Sequence, residues 1–133
     1  MTELFEDNTG WRRALRREMQ MRRAGLSADA HAARSAQIVE HLLRLLTPPA
    51  IAGFCWPIKH EPDVRQVLEH WTKAGCVAAL PVVTAEATPL AFRPWTLTTQ
   101  LKEDRYGIPT PVDGEFVIPD LLLLPLNGLG AAG

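Results

Sequence analysis

The stretch Ala50 to Leu80, AIAGFCWPIKHEPDVRQVLEHWTKAGCVAAL, decides the fold. It opens on a short apolar run, Ala50 to Cys55, suited to a buried strand, and closes on a second, Cys76 to Leu80. Between them Val64, Val67, Leu68 and Trp71 recur at i, i+3, i+4 and i+7, which puts one apolar stripe on a helix from about Asp63 to Ala74. Gly75 stands where a C′ glycine ends a helix. Strand, helix and strand over so short a span predict a βαβ unit with parallel strands and a right-handed crossover.

Upstream, proline is absent before Pro48 and frequent after it, so the first third is helix-permissive. Trp11 to Arg23 reads as a helix with Leu15 and Met19 one turn apart, Gly25 as its stop and Ser27 as the N-cap of the next. In that second helix Ile38, Leu42, Leu45 and Leu46 are expected to point inward, and Pro48-Pro49 ends it. Downstream come a strand at Leu90 to Trp95, a polar connection, the turn-rich YGIPTP and a last strand at Asp120 to Leu124. The continuous aliphatic character of that strand predicts burial on both faces and a central place. The expected fold class is α/β: three layers, a mostly parallel sheet with flanking helices, and two N-terminal helices preceding the βαβ unit, in a single domain spanning 1–133.

Composition narrows the function classes. Apolar residues make up 47% and charged residues 22%, the balance of a soluble globular chain, not a disordered or disulfide-scaffold one. A formal net charge of −1 supplies no global attraction to nucleic acid or an anionic membrane. The longest apolar stretch, Leu121 to Leu126, is far short of a bilayer span. MTELFEDNTG has neither the basic start nor the apolar run of a signal peptide, so a cytoplasmic location is expected, with Cys55 and Cys76 reduced. His31, His41, His60 and His70 have no metal-ligand spacing with those cysteines, and no metal ligand is assigned. No GxSxG, GxGxxG or GxxxxGK[ST] string and no complete triad is present, so no catalytic residue is assigned.

In open α/β sheets ligands bind beyond the carboxyl ends of the strands, which directs attention to Trp56–Asp63. A carboxylate there, on a loop stiffened by Pro57 and Pro62, can accept hydrogen bonds from an amino-substituted heterocycle. Glu61 and Asp63 are equally read as caps of the following helix, a role that suits Asp63 better. The cluster Arg12, Arg13, Arg16, Arg17, Arg22 and Arg23 has three readings: a polyphosphate clamp centred on Arg12 and Arg16, a solvated helix face, or a nucleic-acid surface. The last has no aromatic interleaving or recognised motif to accompany it.

Four segments, RRALRREMQMRRAGLS, GFCWPIKHEPDV followed by LPVV, LAFRPW, and YGIPTP followed by PDLLLLPL, together resemble the 5-formyltetrahydrofolate cyclo-ligase family, also called methenyltetrahydrofolate synthetases. The resemblance implies conversion of 5-formyltetrahydrofolate and ATP, with magnesium, to 5,10-methenyltetrahydrofolate, ADP and phosphate. It implies folate and ATP as small-molecule partners, no nucleic acid, no membrane and a monomer. It also implies an ATP-binding stretch at Arg12, Arg13, Ala14, Leu15 and Arg16, with arginine at position 12 where the family commonly has lysine. The implied substrate-binding positions are Glu61 holding the pterin, Trp56 walling the folate, and Phe92 and Tyr106 around the same pocket, with core packing the competing role for the last two.

One departure is an absence. The family continues past its last strand with a glycine-rich nucleotide loop of the type RLGYGGGYYDR, and here the strand is followed by LNGLGAAG. The expectation is a chain whose C-terminal part is missing, resembling the folate half of the enzyme and exposing apolar surface near Leu121 to Leu124. The alternative function is a non-catalytic folate- or partner-binding remnant.

Overall fold

A computed structural model describes residues 2–83 and 91–126, with side chains from residue 10 onward. The elements run α1 (Thr2–Ala24), α2 (Ala28–Leu45), β1 (Ile51–Phe54), α3 (Arg65–Lys73), β2 (Val77–Val82), β3 (Ala91–Trp95), β4 (Leu101–Glu103), β5 (Pro109–Pro111) and β6 (Leu121–Leu123). The helix signals act where the sequence puts them. Ser27 caps α2, its Oγ accepting from the Ala30 N–H at 3.1 Å. At the end of α3, Gly75 takes a φ of 99°. Its N–H donates to Thr72 O, and the Cys76 N–H donates to Trp71 O, the two bonds of a Schellman motif.

Three of the strands are parallel. The main sheet has the order β3-β2-β1-β6, with β1 parallel to both β2 and β6, and β3 antiparallel to β2. A separate antiparallel pair, β4 and β5, sits beside it. Strand alternation sends Ala52, Phe54, Ala78, Leu80 and Trp95 to one face, where they form a single core with Val67, Leu68 and Trp71 of α3 and Val39 of α2. α2 and α3 therefore cover the same face of the sheet. The βαβ unit, the two preceding helices and a mixed, mostly parallel α/β sheet all match the expectation.

Several details differ from the sequence reading. Leu45 is 76% exposed, because the inward stripe of α2 runs through Ser35, Ile38, Val39, Leu42 and Leu46 and Leu45 lies off it. α3 begins at Arg65, two residues later than expected, with Val64 at the N-cap. β6 is not a central strand among the described residues: it pairs with β1 on one side only, and Leu122 is 47% exposed. Leu121 and Leu123 face the core, whereas Leu122 points to the opposite face, where no described helix covers it. The exposed apolar surface expected there is present, at Leu122, Leu124 and Leu126. Leu90, the expected start of β3, and the residues after 126 lie outside the described set.

The start of β6 is fastened to β1 by one side chain. The Asp120 carboxylate accepts the Ile51 N–H at 2.8 Å and the Ala50 N–H at 3.3 Å, and those backbone donors hold its carboxyl below the usual range. The two strand exits are thereby brought level, and a groove opens in the space beyond them.

Candidate functional site

A groove of about 420 Å³ opens at the carboxyl ends of β1 and β6. Ile38 and Leu42 of α2 form one wall, Leu122 to Leu126 another, and Cys55, Pro57, Glu61 and Pro62 the floor and rim. Glu61 is the one charged side chain in this lining. The place is the one expected of an open α/β sheet, beyond the strand ends.

Glu61 is held by a strained turn. Lys59 and His60 both have positive φ, 49° and 61°, although neither is glycine. The Glu61 N–H donates to Ile58 O at 2.9 Å, and Glu61 Oε1 accepts the Ile58 N–H at 3.1 Å, so backbone and side chain close the same turn. Two distant helices pin it. Arg23 Nε of α1 donates to Lys59 O at 3.2 Å, and His31 Nε2 of α2 lies 2.8 Å from Glu61 O, a contact that requires its N–H. The Asp63 N–H, just beyond, donates to the buried Ser35 Oγ at 3.0 Å. Strain kept in place by this many ties fixes the Glu61 side chain at the groove.

Asp63 does something else. Its carboxylate accepts the backbone N–H of Arg65, the first residue of α3, and both the Nε and NH2 donors of the Arg65 side chain, at 2.6–3.0 Å. That fork holds the Asp63 carboxyl below its usual range, against the opposing effect of partial burial. The geometry is that of a helix-start residue, and Glu61 caps no helix. Arg65 in turn lies 4.6 Å over the Trp56 ring, which meets Trp95 edge-on at 6.3 Å.

The structure separates the expected substrate positions. Glu61 borders the groove. Trp56 turns to the α3 side, between Arg65 and Trp95, and Cys55 faces the groove in its stead. Phe92 lies on the opposite sheet face, packed toward Gly53 and bridged to Val117, and Tyr106 is 65% exposed in the β4–β5 turn. Arg12, Arg13, Ala14 and Arg16 are exposed on α1 with Leu15 half-buried, and none borders the groove. The Cys55 thiol is pushed up, first by burial and then by the Glu61 charge, so it stays neutral and is a poor nucleophile. Cys55 and Cys76 are both free thiols.

Sequence reasoning missed the residues that set the turn: Arg23, His31 and Ser35. Each acts across 28 to 36 residues, and no local pattern marks such a contact. An apolar slot with one fixed carboxylate can hold a flat heterocycle by its faces and accept N–H bonds at its edge.

The chain superposes on a 5,10-methenyltetrahydrofolate synthetase from Aquifex aeolicus with a TM-score of 0.67 and 24% identity, covering 82% of this chain and 57% of that one. On a 5,10-methenyltetrahydrofolate synthetase from Mycoplasma pneumoniae the TM-score is 0.61 at 22% identity, covering 86% of this chain and 63% of that one. The chain has the methenyltetrahydrofolate synthetase fold. It spans about three-fifths of the length of these two synthetases. No family model and no curated protein matches the sequence. No described helix is long and apolar enough to cross a membrane.

Proposed function

We propose that this chain binds a reduced folate in the β1–β6 groove, as the folate side of a 5-formyltetrahydrofolate cyclo-ligase. The reaction is the ATP- and magnesium-dependent conversion of 5-formyltetrahydrofolate to 5,10-methenyltetrahydrofolate, with release of ADP and phosphate. The observation that carries this reading is Glu61, a lone carboxylate in an apolar groove of a fold shared with two methenyltetrahydrofolate synthetases. Glu61 accepts N–H bonds from the pterin edge, and the leucine and proline walls exclude water from its faces.

In the chemistry so assigned, the formyl oxygen attacks the γ-phosphorus of ATP and ADP departs. Nitrogen 10 of the folate then attacks the activated formyl carbon and gives up its proton, and phosphate leaves with the former formyl oxygen as the ring closes. Such transfer asks the protein for positioning and positive charge more than for a nucleophile. Arg12 and Arg16, on one face of α1, are assigned to the ATP phosphates, within the stretch Arg12–Arg16. Among the described residues no cluster of His, Cys, Asp and Glu has the makings of a metal site, so magnesium is given no ligand here and no step is routed through it. The same reading takes the molecule to be a three-layer α/β domain, monomeric and cytoplasmic, with folate and ATP as its partners.

Folate titration and the appearance of the methenyl chromophore with Mg-ATP test this. Absence of both, in this chain and in one extended by a glycine-rich nucleotide loop, sinks the assignment. The position of Arg12 and Arg16, exposed and away from the groove, favours a second reading: a folate-binding remnant without turnover. It predicts folate binding in a chain that does not bind Mg-ATP.

A further inference from the structure

Beside the groove lies a second depression of about 430 Å³, different in character. It shares Ile38, Pro62 and Leu126 with the groove, so the two concavities are continuous. Its lining holds Arg22 and Arg23 of α1, His31 and Arg34 of α2, and His60 of the strained turn. Glu18, which pairs with Arg22 at 2.7 Å, is the acidic group engaged there. Arg23 spends its Nε on Lys59 O. Three arginines thus line one concavity whose neighbour is apolar.

α2 is the wall common to both. Leu42 and Ile38 serve the groove, and Ile38, Ser35, Arg34 and His31 serve the depression. At 1.5 Å per residue, Leu42 to His31 is a run of about 16 Å. A ligand matched to this wall has a flat apolar head at one end and clustered negative charge at the other. A folate is such a molecule: its ring system is joined through an aminobenzoyl unit to a glutamate with two free carboxylates.

We propose that the depression lined by Arg22, Arg23 and Arg34 binds the two carboxylates of the folate's glutamyl tail, with Arg34 as a main contact. This rests on the folate reading of the groove. Guanidinium groups pair well with carboxylates, and at an exposed site each is worth a factor of up to about five in affinity.

The test compares 5-formyltetrahydrofolate with its glutamyl dimethyl ester, which keeps the rings and loses the tail charges, by titration at low salt. The unaltered chain is expected to bind the diacid about tenfold more tightly than the diester, a preference that shrinks as salt rises. Arg34→Ala is expected to lower diacid affinity about fivefold and leave diester affinity unchanged, and Arg34→Glu to abolish the preference. Glu61→Gln should weaken both ligands together. Equal binding of diacid and diester by the unaltered chain, or an Arg34→Ala loss shared by both, overturns the tail site alone. Binding of neither ligand overturns it together with the folate reading.

Discussion

The Ile58 amide donates to Glu61 Oε1 at 3.1 Å, so the carboxylate that borders the groove also closes the turn that carries it. Its two roles separate by substitution. Glu61→Gln keeps an acceptor oxygen for Ile58 and removes the charge. It is expected to weaken folate binding by about 1–3 kcal/mol with little change in stability. Glu61→Ala leaves the half-buried Ile58 N–H unpaired and should also lower the unfolding free energy by about 1 kcal/mol. Isothermal titration and urea unfolding of both variants check this, and undiminished folate affinity in Glu61→Gln would leave the carboxylate a purely structural part.

Asp63 joins the start of α3 to Arg65, and both side chains are about one-third exposed, 34% and 35%. Asp63→Asn keeps an acceptor for the Arg65 N–H and loses the ion pair, at an expected cost below about 1 kcal/mol. Asp63→Ala loses both and should cost about 1–2 kcal/mol. The folded carboxyl titrates below its unfolded value, so this contribution is complete above the ordinary aspartate range of about 4 and fades as pH falls through the depressed value. Unfolding curves for the parent and Asp63→Asn should converge in acid. A gap that does not narrow as the pH is lowered below the ordinary aspartate range contradicts the assignment.

Lys59 sits at φ 49° with its side chain exposed. Lys59→Gly relieves a left-handed conformation that costs a side-chain-bearing residue about 1–2 kcal/mol, while adding freedom to the unfolded chain. The net expectation is a stabilisation of up to about 1 kcal/mol, visible as a higher Tm. A lower Tm would mean that the Lys59 side chain makes an interaction worth more than the strain.

Gly53 is the close-approach point of the sheet's second face. A Cβ there would meet Leu122 Cδ2 at 2.5 Å, Pro119 Cγ at 3.0 Å and Phe92 Cε1 at 3.1 Å. Leu122 is exposed and can swing away, but the two rings must also give ground. Gly53→Ala is expected to destabilise by about 1–2 kcal/mol, and the double variant Gly53→Ala with Leu122→Ala to recover part of that loss. Denaturant midpoints of the two variants decide it.

The local elements were legible because their causes are local. Val64, Val67, Leu68 and Trp71 lie on one stripe whatever surrounds them, and all but Val64 are fully buried. Gly75 ends α3 through its own bond to Thr72, three positions before it, and that of Cys76 to Trp71, five before. The place of the groove was legible too, since parallel strands expose their carboxyl ends together. What was not legible is the sorting of Trp56 and Cys55 to opposite sides. Adjacent residues leaving a strand point opposite ways, and which way each goes depends on the register of β1 against β2 and β6.

The sequence by itself determined the βαβ unit, the caps at Ser27 and Gly75, and a carboxylate on the loop after the first strand, because apolar spacing and turn chemistry act within a few residues. Tertiary structure alone decided that β6 has β1 as its one described neighbour, and that Arg23, His31 and Ser35 hold between them the turn from which Glu61 borders the groove. Those outcomes depend on hydrogen bonds between groups 28 to 70 residues apart, whose partners are chosen only when the helices dock on the sheet.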